Sequence, residues 1–325
     1  MNGDQKESAV AFREQREQQR ARALHVTNPC TITMRRYIIG MSTAILFIAS
    51  SMIAEGVVNK HPASESKSGK DVNQDFDQAA RWMQIAVAKG DAQAQYNLGV
   101  LYLKGNGTDV RQDYVEAANW FQLAAEQGFV QAQYNLGLMY EHGQGVQRNY
   151  NEAAKWYQSA ADQGFADAQN NLGVMYSRGQ GVRQDYAEAA KWYRLAAEQG
   201  FAPAQYNLGI KYGIGQGVRQ DYAEAAKWLL LVAQKGYAQA QNYLCIMYGS
   251  GLGVKRDYAE SAKWFRLAAA QGFVQAQYNL GEMYRQGQGV VKNDAIAKEW
   301  FGKACDKGDK ESCEEYRALN EKGIK

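Results

Sequence analysis

The sequence has almost no proline and almost no histidine: 3 of each in 325 residues. Scarce proline leaves long helices unbroken, because proline is the residue that most disrupts a helix interior. His25, His61 and His142 are dispersed along the chain. No Ser/His/Asp or Cys/His set stands at motif spacing, and no His or further Cys lies near Cys305 and Cys313, as a zinc site would need. The recurring Gly-Gln-Gly-Val has no strand before it and no Gly-Lys-Ser/Thr ending, so it is not a phosphate loop. A formal net charge of +3, with basic residues spread through the repeats rather than gathered, gives no argument for nucleic acid. From these absences the chain is expected to be no enzyme, with no catalytic, cofactor-binding or metal-ligating residues.

What is abundant is glycine, with 32 residues, and apolar side chains, at 46%. Seven tryptophans set a ruler: Trp82, Trp120, Trp156, Trp192, Trp228, Trp264 and Trp300. The step from Trp82 to Trp120 is 38 residues and every later step is 36; the extra pair is Thr108-Asp109, in a glycine-rich turn. A fixed period in this range means stacked repeats, each touching only its neighbours.

The N-terminal region stands apart. Residues 1–33 are polar and rich in arginine. Residues 34–54 open with Met34-Arg35-Arg36, continue through an apolar run from Tyr37 to Phe47, and end in small residues. That is the pattern of a secretory signal peptide, with Met34 as the true start. A signal-anchor with its arginine-rich tail inside is the alternative, and either one exports the repeats. A core helix of a cytosolic protein is the third option, although nothing nearby would bury it. Residues 55–70 are rich in Ser and Lys and read as a flexible linker. Repeats follow over 71–308, and 309–325 closes the chain as a charged capping helix.

Each unit is two helices. In helix A, Ala168, Leu172, Met175 and Tyr176 fall at helical spacing, and Gly173 lets a partner helix approach. Gly179 ends it, since glycine accepts a left-handed C-cap. Helix B opens at Asp185, with Glu188 three residues on, which predicts a capping box. The same spacing recurs at Asp113–Glu116, Asn149–Glu152, Asp221–Glu224 and Asp257–Glu260. Helix A is expected to start near Ala92, Val130, Ala166, Ala202, Ala238 and Val274. The array is expected to open on a B helix, Asp75 to Lys89, and to close on a helix from Lys310 to Lys322. The tryptophans are read as packing residues, with a ligand-stacking ladder as the alternative.

The unit Ala-x-x-x-Leu-Gly-x-x-Tyr-x-x-Gly-x-Gly-Val-x-x-Asp-Tyr-x-x-Ala-x-x-Trp-x-x-x-Ala-Ala-x-x-Gly resembles the Sel1-like repeat, a relative of the tetratricopeptide repeat. The match runs from about Asp71 to Lys325. Cys245 replaces the helix A glycine in one unit and Lys211 an apolar residue in another. The resemblance implies an all-α, right-handed solenoid of helical hairpins that binds a protein or peptide.

In such a solenoid helix A lines the concave face. Two adjacent positions there read Tyr96-Asn97, Tyr134-Asn135, Asn170-Asn171, Tyr206-Asn207, Asn242-Tyr243 and Tyr278-Asn279. The resemblance implies that these asparagines meet a peptide backbone, for which an amide supplies both donor and acceptor. Bracing of the neighbouring helix stays open beside binding. The resemblance further implies a disulfide between Cys305 and Cys313, against the alternative of two free thiols. Cys245 reads as a small buried residue. Relatives act in the bacterial envelope or on a host. The expectation is therefore an exported periplasmic or secreted scaffold, with a secreted effector as runner-up. A β-lactam-binding or β-lactamase-like protein is the third choice, although no residue here suggests an activated serine. Partners are expected to be proteins or peptides, not nucleic acid, with a membrane contacted only through the signal-anchor. Oligomeric state is left open.

Overall fold

The computed structural model describes residues 89–105 and 111–324. The N-terminal extension, the apolar segment, the linker, the expected Asp75–Lys89 helix apart from Lys89 itself, and the Thr108-Asp109 insertion lie outside them. Among the described residues the chain forms thirteen helices and no strand. They are α1 (Ala92–Lys104), α2 (Tyr114–Glu126), α3 (Val130–His142), α4 (Tyr150–Asp162), α5 (Ala166–Arg178), α6 (Tyr186–Glu198), α7 (Ala202–Ile214), α8 (Tyr222–Gln234), α9 (Ala238–Ser250), α10 (Tyr258–Ala270), α11 (Val274–Gln286), α12 (Asp294–Cys305) and α13 (Lys310–Glu321). Odd-numbered helices are A helices and even-numbered ones B helices. The architecture is the all-α solenoid of hairpins with a period of about 36 residues that the sequence predicts. Two compact units divide it, one ending at Val232 and one running from Ala233.

In the first unit α1, α3 and α5 each pack on the B helix that follows, and α3, α5 and α7 on the one before. Buried alanines let the helices close, and one large side chain per B helix fills the remaining space: Phe121 (0% exposed), Tyr157 (0%) and Tyr193 (3%). Leu136, Met139, Leu172, Met175 and Leu208 meet them from the A helices. A Cβ on Gly173 would stand 2.8 Å from the Tyr193 ring, so glycine there is a packing requirement. The second unit repeats the scheme with Phe265, Leu280, Met283 and Phe301. Its Cys245 occupies the glycine position, fully buried, and its thiol donates to the Gln241 carbonyl at 2.8 Å.

The six described tryptophans, Trp120 to Trp300, are half-buried rather than central. Trp156 and Trp192 each lie against the cluster of the preceding repeat. They join units, and the next residue along fills the core.

B helices start as predicted, with one correction. Asp185 Oδ1 accepts from the Ala187 and Glu188 amides at 2.9 and 3.0 Å. Glu188 does not reach back to complete the box, because the Asp185 amide already donates to the Tyr176 carbonyl at 3.0 Å. Glu188 pairs instead with Lys191 at 2.6 Å. The same exchange occurs at Glu152–Lys155, Glu224–Lys227 and Glu260–Lys263. Gly181 explains the second glycine of each turn. It holds φ at +68°, and a Cβ there would run into the Tyr150 carbonyl of the preceding unit.

Candidate functional site

The A helices are held in place by a ladder of glutamines. Gln133 Nε2 donates to the Ala125 carbonyl at 3.1 Å, and Gln133 Oε1 accepts from Gln163 Nε2 at 2.7 Å. One side chain thus ties α3 to the end of α2 and to the end of α4. Gln169 repeats this with Ala161 and Gln199, at 3.1 and 2.8 Å. In the second unit Gln241 does so with Ala233 and Gln271, at 3.1 and 2.9 Å. A buried amide with both ends satisfied fixes register, whereas an unsatisfied one is costly. This ladder was not anticipated, though its signal is plain: glutamine recurs at 95, 133, 169, 205, 241 and 277.

On this frame sit the tyrosine and asparagine positions. In the first unit, burial raises the Tyr96 hydroxyl above its ordinary pKa, and a hydrogen bond with Asn135 opposes that. Burial likewise pushes up Tyr134, whose hydroxyl is bonded to Asn171. Asn207 Nδ2 donates to Asn170 Oδ1 at 3.0 Å, and Asn170 Nδ2 to Asn171 Oδ1 at 3.3 Å. The amide of one A helix therefore grips the tyrosine or asparagine of the A helix before it. Asn135 (9% exposed) and Asn170 (8%) are buried in doing so. Asn97 is exposed, with Oδ1 taken by Gln93 at 3.0 Å. Tyr96, Tyr134, Asn171, Tyr206 and Asn207 are half-buried.

Beside them on the same helix faces stand Val100, Leu138 and Val174, also half-buried. The first unit thus carries a strip of tyrosine rims, amides and aliphatic side chains. In the second unit Asn242 (0% exposed), Tyr243 (6%) and Asn279 (3%) are buried, and only Tyr278 of these positions keeps partial exposure. Neither amide atom of Asn242 has a hydrogen-bond partner.

The character changes at α11. The position after the Leu-Gly pair is Val100, Leu138, Val174, Ile210 and Ile246, then Glu282. Glu282 is buried, 3% exposed, and its Oε2 accepts from Arg285 at 2.7 Å and from Gln286 at 2.8 Å. Arg285 reaches Glu315 at 3.2 Å, and Tyr278 donates to Glu311 at 3.2 Å. Burial, then the charges of Glu282 and Glu311, drive the Tyr278 hydroxyl well above its usual range. Cys305 and Cys313 are bridged, with Cα atoms 4.6 Å apart. Among the described residues no group of three or more His, Cys, Asp or Glu is placed to hold a metal. Nor is any described helix long and apolar enough to cross a membrane.

Helical hairpins of about 36 residues in register define a helical-repeat protein. The Sel1 repeat model matches residues 66–91, 92–129, 130–165, 166–201, 202–237, 238–273 and 274–309, and the chain belongs to that family. Among solved structures it is similar to a protective antigen of uropathogenic Escherichia coli strains that displays an SLR fold. That likeness has 39% identity and a TM-score of 0.72, over 75% of this chain and 52% of the antigen. The chain thus spans about half the antigen's length. A Sel1 repeat protein from Oxalobacter formigenes is 34% identical, with a TM-score of 0.58, over 74% of this chain and 97% of the other. A comparison with curated proteins gave no match.

Proposed function

We propose that the chain is an exported scaffold that holds a protein or peptide along the A-helix strip of its first unit. The observation that carries this is the half-exposure of a tyrosine or asparagine together with an aliphatic side chain on α1, α3 and α5. Tyr96 with Val100, Tyr134 with Leu138, and Asn171 with Val174 offer rigid aromatic area, apolar contact and amides side by side. Surfaces of this composition suit protein partners, because tyrosine adds contact area at little entropic cost. Sel1 repeat proteins typically bind proteins, which supports the same reading. The bridge at Cys305–Cys313 supports export, since such bonds persist in oxidising compartments. So does the signal-like segment at 34–54. The similarity to a protein described as a protective antigen favours a second reading, in which the partner belongs to a host.

The test replaces Val100, Leu138 and Val174 together by glutamate and compares cross-linked partners recovered from intact cells with those of the native chain. Loss of a specific partner with unchanged helicity supports the reading. An unchanged partner set moves the binding surface elsewhere. Recovery of the mature chain in the cytosol would overturn export.

A further inference from the structure

We propose that the partner held by the first-unit strip carries a lysine or arginine side chain that seats beside Tyr134, in the field of Asp167 and Glu141. This rests on the strip being the binding surface and adds the chemistry of its occupant. In a repeat array the residues that build the frame recur, so departures that converge on one spot stand out. Asp167 stands where other A helices carry Gln93, Gln131, Pro203, Gln239 and Gln275. Glu141 stands where they carry Leu103, Ser177, Gly213, Gly249 and Arg285.

The two departures meet at Tyr134. Its ring packs on those of Tyr157 and Phe165, with centroids 5.8 and 5.1 Å away. Its hydroxyl is bonded to Asn171, and the charges that act on it, those of Asp167 and Glu141, are both negative. Asp167 and Asn171 stand at i and i+4 on α5 and so share a face. Glu141, near the end of α3, accepts from the Tyr157 hydroxyl at 2.6 Å. Tyr134, Glu141, Asp167 and Asn171 are all half-buried, open to a ligand yet shielded enough for charge to count.

Neither carboxylate joins an ion pair among the described residues. The chain matches its charges elsewhere. The glutamates of four B helices each hold a lysine. In the second unit the position of Glu141 is taken by Arg285, which pairs with Glu282 at 2.7 Å and with Glu315 at 3.2 Å. At Asp167 burial raises the carboxyl above its ordinary pKa, opposed by a hydrogen bond from its own backbone amide. A cation brought by the partner would relieve that cost. Its charged end would lie at the tyrosine and the carboxylates, and its aliphatic stem along Leu138 and Val174.

The experiment selects a phage-displayed library of random linear peptides on the full chain. The expected yield is sequences with lysine or arginine next to apolar residues. The preferred peptide, carrying a fluorophore, is titrated by anisotropy against the native chain and against Glu141→Gln combined with Asp167→Asn. The glutamine keeps an acceptor for Tyr157, and circular dichroism checks the fold. Affinity should fall by about tenfold or more. Replacing the peptide's basic residue by glutamine should cost as much on the native chain and close to nothing on the variant, because such a cycle isolates the pair. Selected peptides with no basic residue, an unchanged affinity in the variant, or two losses that simply add overturn the inference and leave the strip reading standing. No binder at all, or binding that survives replacement of Val100, Leu138 and Val174 by glutamate, removes the strip reading and this inference with it.

Discussion

Lys211 lies in the middle of α7, where the other units carry Leu101, Met139, Met175, Met247 and Met283. It is 7% exposed. Its ammonium donates to Ser177 Oγ at 2.8 Å and to Gln216 Oε1, and it stands 4.9 Å from the Tyr186 ring centre. None of these partners carries a compensating charge. Burial lowers its pKa from 10.5 to about 8. At 1.36 kcal/mol for each tenfold change in affinity for the proton, that lowering sets about 3 kcal/mol against the charged form.

The sign follows from linkage. Below pH 8 the amine is charged in both states, and the folded state bears the cost. Between pH 8 and 10.5 the folded amine is neutral while the unfolded one still holds its proton, so stability rises with pH. Lys211→Met removes the charge and keeps the volume. It gives up two hydrogen bonds to groups that are themselves half-buried and within reach of water. A net stabilisation of about 1–3 kcal/mol is expected at pH 7, vanishing by pH 10.5. Urea unfolding of both chains followed by circular dichroism at pH 7, 9 and 10.5 measures it. A difference between the chains that stays constant over this range, or a less stable Lys211→Met at pH 7, would refute the reasoning.

The other expectations concern the ladder, a turn and the chemistry. Asn135, Asn171 and Asn207 replaced together by Ala should lower the first unit's stability by about 2–4 kcal/mol in urea unfolding, since each loses an inter-helix bond at a partly buried site. An unchanged midpoint would free these amides for a ligand alone. Gly181→Ala should cost more than about 1 kcal/mol in the same assay, because it meets both a positive φ and the Tyr150 carbonyl; a neutral outcome would show that the turn can shift. Pure protein should not turn over nitrocefin, and measurable hydrolysis would overturn the scaffold assignment.

Much of the fold is legible in the sequence because a repeat states its geometry several times over. All six A-helix starts read from the tryptophan ruler coincide with the structure, from Ala92 to Val274, and the closing helix begins at Lys310 as expected. Individual side chains are less legible. Asp185 and Glu188 have the spacing of a reciprocal cap, but the backbone competes: the Tyr176 carbonyl takes the amide that Glu188 would have capped. Trp192 is the largest recurring side chain, yet Tyr193 beside it fills the interior, because a helix turns 100° per residue and only one of the two can point inward. The asparagines could not be assigned from sequence, since the same amide serves a ligand or a neighbouring helix. In the first unit it is the neighbouring helix that Asn135, Asn171 and Asn207 hold. A lone glutamate ordinarily reads as a solvated face, so Glu282 gave no warning of its burial.

The glutamine ladder bears on how such a chain changes length. Each rung joins the same three places, a B-helix carbonyl, an A-helix amide and the next B-helix end, whichever units supply them. A duplicated 36-residue segment would find its acceptors on one side and its donor on the other already in place. The 38-residue repeat 92–129 keeps its rungs, with Gln127 Nε2 donating to Gln95 Oε1 at 2.7 Å and Gln133 Nε2 to the Ala125 carbonyl at 3.1 Å, so the register is set by the helices and not by the total length of the unit. The array is therefore free to grow or shrink by whole units, and a change of length within a helix, which would move a glutamine off its partners, is what it resists.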